Sequence, residues 1–159
     1  MISPVRQASL TDAEQITALI NRAFRSAEGF FIDTDRINLE SVQDLFQTGQ
    51  IFLAESEGIV AACVYAETRG ERAYLGLLSV DPNCQQSGLG SLLMIAAEEH
   101  CRGQGCRFMD IQVVNLRDDL FGFYHKRGYV ETGIHPFPPE VETKLPVHFV
   151  TMTKPLVAL

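Results

Sequence analysis

Residues 78–93 have the spacing in this chain that best suits a phosphate site. A strand-like run ends at Val80-Asp81-Pro82, and Gly88-Leu89-Gly90 follows where an apolar helical pattern begins. The first N–H groups of a helix have no partner within it, and the helix dipole favours anions there. Glycines also let a backbone approach a ligand closely. We therefore expect a pyrophosphate at this helix start; the alternative is that the glycines only permit a tight turn.

Two common phosphate-binding loops do not fit this segment. The chain has no Gly-x-x-x-x-Gly-Lys-Ser/Thr pattern, which excludes a P-loop. A dinucleotide-binding fingerprint would need a third glycine where the chain has Leu93. It would also need its strand near the start of a βαβ unit, whereas this strand follows two earlier ones joined by short turns.

Two motifs, in order, resemble those of the GNAT family of N-acetyltransferases. Gln85-Gln86-Ser87-Gly88-Leu89-Gly90, after Val80-Asp81-Pro82, is similar to the family's Gln/Arg-x-x-Gly-x-Gly/Ala cofactor loop. Phe123-Tyr124-His125-Lys126-Arg127-Gly128-Tyr129 is similar to its Phe-Tyr-x-x-x-Gly-Phe/Tyr segment. The order of predicted elements agrees with the family from about residue 4 to residue 154. The resemblance implies an acetyl-CoA-dependent N-acetyltransferase that acts by direct transfer.

The elements predicted from periodicity form an α/β fold of the α+β type. Helices are predicted after the cap signal at residues 9–12, then at 38–46, from 88 to about 103, and at 116–127. Strands are predicted at residues 4–8, 51–55, 59–67, 72–80, 107–114, 129–134 and 147–153. Glu57-Gly58 and Arg69-Gly70 predict hairpin turns and hence an antiparallel first half. The resemblance implies a GNAT-like mixed central sheet with splayed central parallel strands, flanked by about four helices. We expect residues 1–159 to form a single domain.

The resemblance also implies which residues bind acetyl-CoA. The pantetheine arm would hydrogen-bond as an added strand to the backbone of Leu78, Ser79 and Val80. The pyrophosphate would lie on the backbone amides of Gln86, Ser87, Gly88, Leu89, Gly90 and Ser91, with Gln85 beside them. Asn115 ends its strand where the family often has a cofactor-contacting asparagine, but two extra residues separate it from Tyr124. A cap on the following helix is the alternative role for Asn115.

Tyr124 is the candidate general acid. In direct transfer a neutral amine attacks the thioester, strand N–H groups stabilise the oxyanion, and an acid protonates the thiolate. The alternative for Tyr124 is an aromatic side chain in the helix core. Many family members have a glutamate base where this chain has Tyr74, and tyrosine, with a pKa of about 10, is a poor base. We assign no base: Glu67, Glu71, a water chain or an acceptor amine of low pKa are the alternatives.

Charge and cysteine content exclude several other functions. The chain has a net charge of −7 and scattered basic residues, so it lacks the basic face that nucleic acids and anionic membranes attract. The N-terminus has no apolar signal segment and no apolar run could span a membrane, so we expect a cytoplasmic protein. Reduced thiols are expected because Cys63, Cys84, Cys101 and Cys106 form no CxxC pair. Cys101 and Cys106 with His100 lack the usual spacing of metal ligands, and no metal is expected.

The acceptor amine is not specified by the sequence and could belong to a small molecule or a peptide. Phe30, Phe31 and Phe137 lie in the loops that flank the expected acceptor slot, where they either line a pocket or pack on the core. His100, His125 and His148 are expected to be structural or solvated. A homodimer is left open. The alternative function is a catalytically silent acyl-CoA-binding or regulatory module on the same fold.

Overall fold

A computed structural model describes residues 2–85 and 87–157, and in these residues four α-helices flank a seven-stranded mixed sheet. The helices are α1 (Ala13–Glu28), α2 (Leu39–Thr48), α3 (Leu89–Gly103) and α4 (Asp118–His125). The strands are β1 (Arg6–Gln7), β2 (Gln50–Ser56), β3 (Ile59–Arg69), β4 (Arg72–Val80), β5 (Phe108–Val114), β6 (Val130–Pro136) and β7 (His148–Pro155). The predicted α/β fold is confirmed. Within the described ranges, no helix is both long enough and apolar enough to cross a membrane.

The strands lie in the order β1-β2-β3-β4-β5-β7-β6. All neighbouring strands are antiparallel except β4 and β5, which are parallel. The predicted antiparallel first half is therefore confirmed. Its β2–β3 hairpin turns at Glu57 and Gly58, whose φ angles of 52° and 80° are those of a type I′ turn. The position of β7 between β5 and β6 does not follow from the order of elements along the chain.

The core lies on both faces of the sheet, and the alternation of β2 shows how the faces are divided. Ile51 and Leu53 pack with the apolar stripes of α1 and α2, whereas Phe52 and Ala54 pack with α3 and α4. Successive side chains of a strand point to opposite faces, so alternate residues of β2 pack against different helix layers. The helices on either face then hold the central strands in place.

Strands β4 and β5 separate after a short paired segment. They pair only from Arg72 to Tyr74, opposite Phe108 to Asp110, and Arg72 Nη2 lies 2.6 Å from Asp110 at this closed end. Beyond this segment the facing edges of the two strands are not paired with each other. A β-bulge in β4 contains Leu77, which has a φ of 56°, and it kinks the strand at the opening. The predicted splay of the central parallel strands is thus confirmed.

Two elements are shorter than predicted. Strand β1 is regular only at Arg6 and Gln7, because Pro4 has no N–H to donate to the sheet, although the N–H groups of Ser3 and Ala8 also donate to β2. Helix α4 begins at Asp118 rather than at residue 116, since the ψ of 67° at Arg117 is not helical. The side chain of Arg117 instead forms ion pairs inside the fold.

Candidate active site

The opening between β4 and β5 forms a cavity of about 220 Å³, which we call the slot. Its walls come from both strands, the end of α1, the loop between α1 and α2, α4 with the residue before it, and the loop after β6 together with the start of β7. Four of its polar side chains are buried or half-buried, namely Glu28, Tyr74, Arg117 and Tyr124, whereas Thr34, Asp35, Arg36 and Gln112 at its rim are exposed. The slot therefore combines a carboxylate, a guanidinium and two phenol groups in a partly apolar cavity.

Tyr124 lines the slot from α4 and is 6% exposed. Its ring packs edge-on against Phe123 and Tyr129, with centroids 5.2 and 5.8 Å away. Burial raises the pKa of Tyr124 to about 12, so its hydroxyl remains protonated at neutral pH. The two roles considered for Tyr124, a core aromatic and a general acid, are therefore compatible. Its ring packs in the core, and its hydroxyl still holds a proton that it could donate.

Tyr74 lies along the opposite wall, folded over Gly76. A Cβ atom at Gly76 would come within 2.8 Å of the Tyr74 hydroxyl, so the glycine provides the space for the ring. The Arg69 guanidinium lies 4.9 Å from the ring centroid. Burial raises the pKa of Tyr74, which makes its phenol a still weaker base. The residue at the family's glutamate position is thus a neutral hydroxyl.

Neither of the two glutamates proposed as substitute bases lines the slot. Glu67 accepts a hydrogen bond of 2.6 Å from Tyr65 and another from Arg69, and the bond from Tyr65 is the main reason that its pKa is lowered. Glu71 lies at the closed end of the β4–β5 pair, 71% exposed and 3.9 Å from Arg107. Both carboxylates are therefore outside the cavity in which an amine would react.

Glu28 and Arg117 are slot residues that were not predicted from the sequence. Arg117 Nη1 donates to Glu28 Oε2 at 2.9 Å, while its Nε and Nη2 donate to Asp119 at 3.1 Å each. The Glu28 and Arg117 side chains are only 7% and 11% exposed. Burial raises the pKa of Glu28, and this effect outweighs the opposing effect of Arg117. A signal was present, because Ile16, Ile20, Phe24 and Glu28 follow at helical spacing on one face of α1.

The backbone predicted to bind the pantetheine arm lies on the edge of β4, in the part of the strand that leads away from the slot. After Tyr74 this edge has no partner in β5, so it can accept an added strand. Ser79 is buried, and its Oγ donates to Leu77 O at 3.0 Å, which leaves only its backbone for a ligand. Leu78 lines the slot, and Leu78 and Val80 are half-buried.

Helix α3 begins where the glycine motif predicts. Gly88 is its N-cap residue with a φ of 83°, and the first backbone bond runs from Leu92 N–H to Gly88 O at 3.1 Å. A Cβ atom at Gly88 would have no atom within 4 Å, so the helix start faces open space. Leu89 is buried and anchors the turn, whereas a Cβ at Gly90 would lie 3.3 Å from Phe123 Cζ.

The polar side chains of this loop are held by nearby groups. Gln85 Nε2 donates to Val80 O at 3.5 Å, and Ser87 Oγ donates to Cys84 O. Ser91 Oγ accepts a hydrogen bond from Arg127 Nη2. Gln86, also predicted to contact the pyrophosphate, lies outside the described residues.

Arg127 is a third residue that the sequence did not single out. Its guanidinium carbon lies 3.6 Å from the centroid of the Phe123 ring, and its Nη1 donates to Phe123 O at 2.7 Å. With its bond to Ser91, Arg127 places a positive charge at the start of α3. It lies inside the second sequence motif, but only the contact with α3 shows its relation to the first motif.

Asn115 connects β5 to β7. Its Oδ1 accepts from His148 N–H at 2.9 Å, and its own N–H donates to His148 O at 3.0 Å. The helix cap considered for Asn115 is wrong, because Arg117 occupies the N-cap position of α4. Asn115 also does not line the slot, and its contact with a cofactor remains a prediction.

The loop aromatics, cysteines and histidines divide between slot and core. Phe137 lines the slot and packs on Phe149 with centroids 4.9 Å apart, whereas Phe31 is fully buried and Phe30 is 53% exposed.

The cysteines are all free, and all but Cys84 are buried. The three histidines expected to be structural or solvated have contacts of different kinds. The ring of His100 packs on Phe52, His125 Nε2 is hydrogen-bonded to Glu131, and the backbone N–H of His148 donates to Asn115. In residues 2–85 and 87–157 there is no group of three or more His, Cys, Asp and Glu side chains placed to hold a metal ion.

Comparison with known proteins identifies the class to which this fold and slot belong. The sequence model of the GNAT acetyltransferase family matches residues 13–129. This is more than half of the chain, and the protein therefore belongs to the GNAT family. None of the curated proteins compared with the sequence gives a match.

Several solved structures share the fold at low sequence identity. The ribosomal-protein-S18-alanine N-acetyltransferase of Escherichia coli is 16% identical with a TM-score of 0.78, and the match covers 100% of this chain and 96% of that one. Ard1 of Thermoplasma volcanium is 22% identical with a TM-score of 0.79, and 97% of each chain is covered. The yncA protein of Salmonella typhimurium, solved with its cofactor acetyl-CoA, is 18% identical with a TM-score of 0.77, over 99% of this chain and 95% of that one. At these identities the likeness concerns the fold.

Proposed function

We propose that this protein transfers the acetyl group of acetyl-CoA directly to a primary amine of a small molecule or peptide. The observation that carries the proposal is the position of Tyr124 in the slot, next to the unpaired edge of β4. That edge leads to the helix start at Gly88, so a thioester group in the slot and a pyrophosphate at α3 could belong to one extended molecule. The same residues 1–159 are proposed to act as a single domain in the cytoplasm.

The described residues suit acetyl-CoA, which supplies an activated acetyl thioester when bound. The β4 edge offers backbone groups for a pantetheine arm, and the open space at Gly88 leaves room for phosphate oxygens near the first turn of α3. Arg127 adds a positive charge beside Ser91 in that turn. Membership of the GNAT family and the fold shared with yncA, which was solved with acetyl-CoA, support this assignment.

The chain's own residues then provide two of the functions that direct transfer needs. Backbone N–H groups at the β4 bulge around Leu77, where the edge of β4 has no partner in β5, would stabilise the developing negative oxygen. The Tyr124 hydroxyl holds the proton that the leaving sulfur requires. Burial raises the pKa of this phenol to about 12, so it still holds its proton at neutral pH when the sulfur departs.

The competing function is a silent acyl-CoA-binding module, for which the missing glutamate at Tyr74 is the argument. The presence of Tyr124 in the same cavity favours catalysis. The experiment is an acceptor screen: the protein is incubated with acetyl-CoA and amino acids, polyamines, amino sugars or peptides with free N-termini, and free thiol is detected. Thiol release above hydrolysis with at least one amine supports the transferase. Binding of acetyl-CoA without release in any reaction would support the silent module.

A further inference from the structure

We propose that Glu28 is the general base of this enzyme and that it takes a proton from the acceptor's ammonium group. The inference rests on the proposed acetyl transfer and adds the catalytic group that the Tyr74 position does not provide. Arg117 is then a positioning residue, since it holds the Glu28 carboxylate by a hydrogen bond.

The position of the Glu28 carboxylate supports this role. Glu28 ends α1 and lines the same slot as Tyr124. Its Oε2 accepts from Arg117 at 2.9 Å, which fixes the orientation of the carboxylate. Its Oε1 accepts no hydrogen bond from any residue in the described part of the chain. A carboxylate that is held at one oxygen and unbonded at the other, in a cavity, is suited to receive an N–H donor.

The charges around Glu28 also favour a cation. Arg117 is shared by Glu28 and Asp119, so the three side chains carry a net charge of −1 when both carboxylates are ionised. Asp35 and Arg36 are the other charged residues that line the slot; both are exposed, so solvent screens them more strongly, and Asp35 is also paired with Arg25. Tyr74 and Tyr124 are neutral at neutral pH. Asp119 is 67% exposed, so the buried charges are those of Glu28 and Arg117, and an ammonium group in the slot would be a second cationic partner for the Glu28 carboxylate.

Burial gives the carboxylate the proton affinity that the role requires. A carboxylate with an ordinary pKa is a weak base towards an amine, and a raised pKa improves the match. Burial raises the pKa of Glu28 in spite of the opposing effect of Arg117. The charge of Asp119 acts in the same direction as burial. The group is thus better suited to accept a proton than Glu67, whose pKa is lowered.

The proton balance of the reaction is then complete. The ammonium gives one proton to Glu28 Oε1 and becomes a neutral amine. Its nitrogen bonds to the acetyl carbon as the carbon–sulfur bond breaks, and the sulfur takes the proton of Tyr124. Tyr124 regains a proton from the same nitrogen, directly or through water. Glu28 releases its proton to solvent, so the net products are the acetamide, the free thiol and one proton.

The test compares Glu28→Gln with the matched control Glu71→Gln, which removes an exposed carboxylate outside the slot. The acidic limb of kcat/KM is measured for two acceptors with well-separated pKa values. Wild type and Glu71→Gln should share one limb for both acceptors. Glu28→Gln should lose about 10²–10⁴-fold at neutral pH. Its remaining activity should rise with pH towards each acceptor's own pKa, while the Kd for acetyl-CoA is unchanged.

Two outcomes would overturn the inference while acetyl transfer itself is intact. One is a wild-type acidic limb that persists in Glu28→Gln, and the other is a wild-type limb that already differs between the two acceptors. If Glu28→Gln melts at the assay temperature, Glu28→Asp replaces it: kcat should fall and the shared limb should remain. A Glu28→Asp enzyme without a shared limb would count against the base. A wild type that releases no thiol with any amine would overturn the proposed function, and this inference with it.

Discussion

Gly90 lies directly against the ring of Phe123, so that a Cβ atom at position 90 would come within 3.3 Å of Phe123 Cζ. The two residues belong to the two motifs found in the sequence, and their contact packs the first turn of α3 on α4. Arg127 strengthens this junction by stacking on Phe123 and donating to Ser91. The helix start proposed to hold the pyrophosphate and the helix that contains Tyr124 therefore form one structural unit.

A glutamate at Gly88 or at Gly90 should weaken acetyl-CoA binding by about tenfold or more, equivalent to about 1.4 kcal/mol. Gly88→Glu adds a negative charge in the open space at the helix start and forces a side chain onto a φ of 83°. Gly90→Glu adds the same charge and also pushes against Phe123. Calorimetry measures both affinities. Gly103→Glu, at the far end of α3 with no atom within 4 Å of its Cβ, is the control and should bind normally. If Gly88→Glu binds acetyl-CoA as tightly as wild type, the pyrophosphate does not bind at this helix start.

Tyr124→Phe should lower kcat by about 10²–10⁴-fold and leave the Kd for acetyl-CoA unchanged. Only the hydroxyl is removed, so the edge contacts with Phe123 and Tyr129 are kept. Steady-state kinetics and calorimetry provide the two values. The contrast is Tyr129→Phe, whose hydroxyl donates to buried Glu98 at 2.7 Å outside the slot. That variant should lower the Tm and retain kcat. Equal kcat values in Tyr124→Phe and wild type would remove Tyr124 from the mechanism.

Local sequence signals were sufficient to find the helix start, whereas Tyr124 was singled out by the resemblance of residues 123–129 to a family motif. A glycine before an apolar helical stripe and an aromatic four residues before Gly128 both describe neighbours along the chain. Backbone geometry at these points follows from the residue types: Gly88 has the left-handed φ that glycine tolerates, and so does Gly128, with a φ of 95°.

Contacts between distant parts of the chain could not be predicted, because local periodicity does not contain them. Glu28 meets Arg117 across 89 residues, and Asn115 bonds to His148 across 33. The pairing of β7 with β5 could not be predicted either, because several strands have similar apolar patterns and could have been its partner. Glu28 could have been suspected, because a charged residue that continues the Ile16, Ile20 and Phe24 series must be buried with a partner.

Asp12→Asn should reduce stability at neutral pH in a pH-dependent way. Asp12 accepts two bonds from Arg6, of 2.9 and 3.0 Å, and one of 2.8 Å from Ser9 N–H. The bonds from Arg6 are the main reason that the pKa of Asp12 is lowered to about 2. Because the folded pKa is below the unfolded one, the ionised form stabilises the fold above about pH 4, and this contribution is lost as the pH falls through 2.

We expect Asp12→Asn to lower the free energy of unfolding by about 1 kcal/mol at pH 7, a modest value because Arg6 is 43% exposed. The difference from wild type should shrink between pH 4 and pH 2. Urea unfolding at several pH values measures it. Asp44→Asn, exposed on α2, is the control and should differ little from wild type at any pH. A difference that is independent of pH would mean that the loss comes from the turn at Ser9 rather than from the charge.

Arg117 and Asp119 should shift the pKa of Glu28 in opposite directions, and the sign of each shift tests the role of the Glu28–Arg117–Asp119 triad. The Arg117 guanidinium lowers the pKa of Glu28 through its hydrogen bond and charge, whereas the Asp119 carboxylate raises it. Arg117→Gln should therefore raise the pKa of Glu28 further, and the acidic limb of kcat/KM should move to higher pH. Asp119→Asn removes the negative charge that raises the pKa of Glu28, so this pKa should fall and the same limb should move to lower pH.

Profiles of kcat/KM against pH for wild type and both variants, with one acceptor of high pKa, measure these shifts. Each variant's Tm is recorded, since removing Arg117 leaves a buried carboxylate without its ion-pair partner and should cost stability. A change that only disturbed the fold would lower activity at every pH without moving the limb. Asp118→Asn, which alters an exposed neighbour with the same change of charge, should leave the limb where it is. Limbs that move in the same direction in Arg117→Gln and Asp119→Asn would show that the titrating group is not Glu28.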